Sequence, residues 1–290
     1  MAINLTLGAV LPTNEIDNDP GAIRDYAQAA EALGFDHLLI YDHVLGADPR
    51  VHQLPGPYTD QDAFHEVFVT LGYIAAATTT LGLATAVLVL PQRQTALVAK
   101  QAAQLAVLSD NRLRLGVGSG WNSVEYEALN ENFRNRGRRQ EEQIELMRQL
   151  WAEDIVNFEG EFHTVTAAGI RPRPTETIPV WFGGAHDLQL RRTARIGDGW
   201  FPIGAPNAES AEMTERLRGY LRDAGRDADN FPIEPQAQIR GGTPELWLSH
   251  AQRWEELGAS DISIATMNAG LANIDEHIDA IRQYHEAVTA

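Results

Sequence analysis

Three short stretches carry groups suited to chemistry. Asp42-His43 sets a carboxylate beside an imidazole, and histidine changes charge near neutral pH, which suits it to proton transfer. Gly118-Ser119-Gly120 and Gly183-Gly184-Ala185 are glycine turns. Without Cβ atoms they let a ligand reach the main chain, whose N–H groups can cradle a phosphate. The first is not a dinucleotide fingerprint, because the G-x-G-x-x-G spacing fails at Ser123. A basic island, Arg134-Asn135-Arg136-Gly137-Arg138-Arg139, interrupts an acidic chain. It reads equally as a solvated loop and helix start or as an anchor for an anionic ligand tail.

Composition narrows the classes. The 290 residues include no cysteine, which excludes a disulfide framework, a thiolate zinc site and a cysteine nucleophile. A net charge of −17 argues against nucleic acid and anionic membranes as partners. No apolar run reaches the roughly 18 residues of a membrane span. Met1 to Leu5 starts in a strand pattern without a basic leader, so a cytoplasmic protein is expected.

The elements that must position these stretches follow from periodicity. Strand patterns occur at 3–11, 37–41, 81–90, from Leu113, and at 179–184, 199–202, 236–240 and 261–266. Helical stripes separate them, for example Ile23, Ala27, Ala30 and Leu33, or Val98, Ala102 and Leu105. Residues 122–136 read as irregular, and 154–166 as a small hairpin. Eight strand–helix units predict an α/β fold, a (β/α)8 TIM barrel forming one domain over 1–290. Insertions follow strand 2 (44–62) and precede strand 5 (152–178). The first has the length and the prolines of a lid.

In such a barrel the chemistry sits where strands end. That selects Asn14 and Glu15, Asp42 and His43, 86–91, 118–122, 183–186 and 240–242. A Schiff-base aldolase is disfavoured because the only lysine, Lys100, falls inside a helix. Histidines ending the first strand, which an amidohydrolase metal site needs, are missing, and no metal is expected. The remaining inventory of glycine turns, one Asp-His pair and the aromatics Tyr41, Trp121, Trp181 and Trp200 suits a phosphate-bearing cofactor with a flat ring.

Tyr41-Asp42-His43-Val44, the 81–111 segment, Arg114 to Trp121, Arg136-Gly137-Arg138-Arg139, Pro179 to Gly184 and Gly197-Asp198-Gly199-Trp200 are collinear. Together they resemble the luciferase-like monooxygenase superfamily, in its branch of coenzyme F420 (deazaflavin)-dependent oxidoreductases. The resemblance implies hydride transfer between F420 and a small organic substrate. The alternatives are an FMN-dependent monooxygenase using reduced flavin and oxygen, and a non-catalytic flavin-binding protein. It implies catalytic roles for His43 and Asp42 beside the ring, and a bulge at Ala86-Val87 beneath it, often a non-prolyl cis bond. It places Gly118, Ser119, Gly120, Gly183, Gly184 and Ala185 on the phosphate side of the cofactor, with Arg136, Arg138 or Arg139 facing the tail, and Trp121 walls the pocket or stacks on substrate. A homodimer is implied as well. One departure stands out: sugar-phosphate dehydrogenases of the superfamily carry an acidic residue where this chain has Trp121, so a sugar phosphate is not the expected substrate. Glu125, nearby in sequence, is expected to face solvent.

Overall fold

A computed structural model describes residues 2–16 and 19–290. The chain opens with β1 (Thr6–Val10), α1 (Pro20–Leu33), β2 (His37–Ile40) and α2 (Val67–Ala77). There follow β3 (Gly82–Thr85), the short β4 (Leu88–Val89), α3 (Thr95–Leu108), β5 (Leu113–Gly118), α4 (Ser123–Ala128) and α5 (Arg136–Ala152). A hairpin of β6 (Val156–Glu159) and β7 (Thr164–Ala168) leads to β8 (Val180–Gly183), α6 (Asp187–Ile196), β9 (Gly199–Phe201) and α7 (Ala208–Asp223). The chain closes with β10 (Gln236–Gln238), α8 (Pro244–Glu256), β11 (Asp261–Ala265) and α9 (Ile274–Thr289).

Apart from the hairpin, every strand pairing is parallel, in the order β10-β11-β1-β2-β3-β5-β8-β9, with β4 continuing β3 alongside β5. Between β9 and β10 the wall is joined by a Trp200–Ile233 bridge, flanked by Trp200 N–H to Pro232 O (3.0 Å) and Glu234 N–H to Trp200 O (2.9 Å). The result is the expected (β/α)8 barrel, nearly closed.

Strand residues alternate between lumen and helix layer, so both faces must be apolar. Val10, Leu39, Ala84, Trp181, Phe201 and Ala265 form the lumen cluster. Ala9, Leu38, Ile40, Leu83, Leu115 and Phe182 pack outward in the main core with helix residues such as Tyr26, Leu71 and Val98.

The strand expected over 81–90 breaks in two. The Ala86–Val87 peptide is cis, and a 3-10 turn over Leu90–Gln92 follows β4. The stretch expected to be irregular, 122–136, instead holds α4 and a 3-10 turn at Phe133–Asn135. Asn122 starts α4 by accepting from the Val124 N–H at 3.0 Å.

At the bottom of the barrel, His37 Nε2 lies 2.7 Å from Glu234 Oε1. Arg114 reaches Glu234 Oε2 at 2.5 Å and Asp261 at 3.3 Å, with its guanidinium 4.1 Å over the Trp181 ring. His37, Glu234 and Asp261 are the one group among the described residues with metal-ligand spacing. Arg114 already supplies positive charge to both carboxylates, so the group is an ion-paired floor to the lumen.

Candidate active site

His43 stands where β2 ends. Its side chain is 9% exposed, and Nδ1 lies 3.3 Å from Oε2 of Glu125. Oε1 of Glu125 accepts from the Val44 and Leu45 N–H groups at 2.5 and 3.1 Å. Glu125 is therefore buried, at 1% exposure, and does not face solvent as the sequence suggested. With a proton on Nδ1, His43 joins the two main-chain amides as a donor to this carboxylate. Three aromatic rings enclose the imidazole: Phe64 at 4.9 Å, Trp121 at 5.2 Å and Tyr58 at 5.4 Å between centroids.

Asp42 turns elsewhere. Its buried carboxylate receives Arg93 at 2.6 Å and the Val89 N–H at 2.9 Å. Burial pushes the Asp42 carboxyl up, and the Arg93 guanidinium pulls against that shift. Arg93 also reaches Glu66 at 3.2 Å. Asp42 thus ties the end of β2 to β4, and does not touch His43 directly.

The 44–62 excursion rises from this corner. Its root is gripped by α4, through Glu125 and through Asn122 Nδ2, which donates to Leu45 O at 3.0 Å. Farther out, Asp60 N–H meets Ala47 O at 3.3 Å, and Asp62 accepts from Thr59 N–H at 2.7 Å. At the tip Gly56 lies against the Trp121 indole so closely that any Cβ there would enter the ring. The excursion therefore lies over Trp121.

Ala86 and Val87 pack on the rim of the lumen cluster. Val87 is wedged between the two glycine turns: a Cβ on Gly118 would collide with its Cγ2, and one on Gly183 would come within 2.7 Å of its Cγ1. Gly184 has φ +119°, a conformation side chains rarely adopt.

Ser119 Oγ donates to Gln140 Oε1 at 3.2 Å, and Tyr126 OH donates to Ser119 O at 2.7 Å. Gln189 stands beside Gly184 and takes a hydrogen bond from Arg192, which in turn crowds Gly137. The starts of α5 and α6 thus meet behind the glycine turns. There Gln140 Nε2 and Gln189 Nε2 are both buried without a hydrogen-bond partner.

The basic island divides. Arg139 is buried on Glu131 (2.6 Å) and Pro91 O (3.1 Å), and Arg138 pairs with Glu161 at the surface. Arg136 stacks on Phe133 at 3.8 Å, donates to Phe133 O, and keeps a buried Nε without a partner.

The structure thus gathers His43 and Trp121 with Glu125, Tyr58 and Phe64, and separately gathers Ala86, Val87, Gly118, Ser119, Gly183 and Gly184 on the adjoining rim. Sequence reasoning put Glu125 on the wrong side and missed Arg93, Gln140 and Gln189. Asn122, a capping residue three positions before Glu125, was the available signal for the first.

A nearly closed parallel barrel with its polar groups at the strand ends defines a barrel enzyme. A model of the luciferase-like monooxygenase family matches residues 4–240, and the chain belongs to that family of enzymes. An uncharacterised protein of Mycobacterium tuberculosis is 34% identical over 277 residues, covering 91% of this chain and 93% of its own. A protein of Segniliparus rotundus named F420-dependent glucose-6-phosphate dehydrogenase is 30% identical over 277 residues, covering 90% and 76%. Among solved structures, an F420-dependent secondary alcohol dehydrogenase in complex with an F420-acetone adduct superposes with TM-score 0.77 at 18% identity, covering 99% of this chain and 100% of that one. The coenzyme F420-dependent tetrahydromethanopterin reductase of Methanopyrus kandleri gives 0.78 at 14%, covering 99% of each. At these identities the structural matches bear on the fold. No helix among the described residues is long and apolar enough to cross a membrane.

Proposed function

We propose that this chain is an F420-dependent oxidoreductase that moves a hydride between the deazaflavin and a small, mostly apolar organic substrate. The observation that carries this reading is one imidazole, tethered by Glu125, at the same barrel rim as the glycine turns. Relatives at 30% identity named F420-dependent enzymes support F420 as the cofactor.

The residues fit such a group. Gln140 and Gln189 stand beside Ser119 and Gly184 with unpartnered amide N–H2 groups, donors that suit a phosphate. Arg136 Nε, also unpartnered, suits an anionic tail. When bound, the deazaflavin supplies or takes up the hydride. Ala86 and Val87 support its ring, and Gly118 and Gly183 let the Val87 side chain pack between them while Gly120 packs on Val89. His43 Nε2 gives or receives the accompanying proton. Asp42 positions β4 through Val89 and Arg93. The 44–62 excursion excludes water.

Trp121, Tyr58 and Phe64 make the wall beside His43 aromatic, which supports an apolar substrate over the sugar phosphate in the relatives' names. Titrating the protein with F420 and with FMN tests the cofactor. Saturable binding of F420 is expected. Tight FMN binding without F420 binding replaces this reading with the flavin monooxygenase.

A further inference from the structure

A cavity of about 380 Å3 opens outside the strand wall, between the segment leading into α7 and the outer side of β10 and α8. None of its lining residues belongs to the site around His43.

Its chemistry runs against the composition of the chain. There are 40 acidic residues against 23 basic ones, yet no carboxylate lines this cavity, while Arg240, Arg253 and His250 do. Neither arginine has an ion-pair partner among the described residues, whereas Arg114, Arg139 and Arg192 each hold a carboxylate. Exposed arginines alone are ordinary surface. Here they flank two buried ring nitrogens that have no hydrogen-bond partner, Trp247 Nε1 and His250 Nε2, and Trp247 is only 7% exposed. Gly242, which also lines the cavity, lies against the edge of the indole that carries Nε1, and a Cβ there would collide with it.

Two guanidinium forks and two ring nitrogens around one space outnumber the two oxygens of a carboxylate and match the oxygens of a phosphate. We propose that this cavity binds a phosphate group, free or carried on a small molecule, independently of the His43 site. Trp247 Nε1–H is one donor, and Arg240 and Arg253 supply the charge.

His250 joins them through proton uptake. It donates to the Gln236 carbonyl, so in the neutral ring Nε2 is an acceptor and becomes a donor only on protonation. Burial and Arg253 on the same helix hold His250 below its usual range, against the pull of its bond to the Gln236 carbonyl. An oxyanion seated between His250 and Arg253 reverses that balance.

The test is an NMR titration of the whole protein that follows the Trp247 indole N–H. Inorganic phosphate and glycerol phosphate are added at constant ionic strength, and the tighter of the two identifies the source. A saturable shift is expected, weakened at least about tenfold in the R240Q/R253Q double variant. With sulfate, which does not titrate in this range, affinity should rise from about pH 8 to about pH 6. The H250Q variant should lose that rise. An indole resonance unmoved by either phosphate, or a double variant that binds like the parent, overturns the proposal.

Discussion

Oε2 of Glu125 lies 3.3 Å from Nδ1 of His43, while Oε1 of the same carboxylate holds the Val44 and Leu45 amides. One side chain therefore sets both the orientation of the imidazole and the path of the chain leaving it. In an F420 turnover assay, Glu125→Gln should lower kcat by about 10- to 100-fold, and His43→Ala by about 10²- to 10⁴-fold, with cofactor affinity little changed. Parent-like turnover in both variants would assign the proton step to another group.

Asp42 should matter mainly to stability. Asp42→Ala strips the buried acceptor from Arg93 and from the Val89 N–H, and should cost about 3–5 kcal/mol. Asp42→Asn, which can still accept, should cost less. Urea unfolding measures both, and a fully stable alanine variant would show that Glu66 alone suffices for Arg93.

The barrel floor predicts a pH dependence. Burial raises the Glu234 carboxyl, but His37 and Arg114 beside it hold it below its usual range. A carboxyl depressed in the folded state contributes stability above its unfolded pKa, near 4.3, and loses it as pH falls through the lower folded value. Glu234→Gln should lower stability at neutral pH and flatten this acid limb. Unfolding free energies across that acid window check it; parallel curves for parent and variant would rule it out.

Gly56 against Trp121 predicts a steric effect. Gly56→Val has no room over the indole and should displace the excursion, weakening its packing on Trp121 by about 1–3 kcal/mol. Faster proteolysis within 44–62 and a red-shifted tryptophan emission would report it. Unchanged cleavage would mean that the tip already moves freely.

The barrel was legible where strands are buried on both faces, because Leu38, Leu39 and Ile40, or Leu115 and Val117, must be apolar on either side. β10 was harder. Its inward Gln236 is polar because it accepts from Tyr41 OH at 2.6 Å, and the closing contacts come from 232–234, upstream of the expected strand. The Asp42-His43 pair was visible as neighbours, but neighbours at a strand end point to opposite sides, which sends Asp42 to Arg93. Glu125 was hidden because α4 is short and polar, so no apolar stripe announced a helix. What turns it inward is a bond to main-chain amides eighty residues earlier.

The grip of Asn122 and Glu125 on Val44 and Leu45 divides the excursion mechanically. Its near end is clamped to the helix that also aims the imidazole, and at Gly56 it rests on the Trp121 indole. Tyr58 and Trp121 both flank the His43 ring, so a change near residue 56 reaches the imidazole through its aromatic wall, whereas a change at residue 125 reaches it through its hydrogen bond.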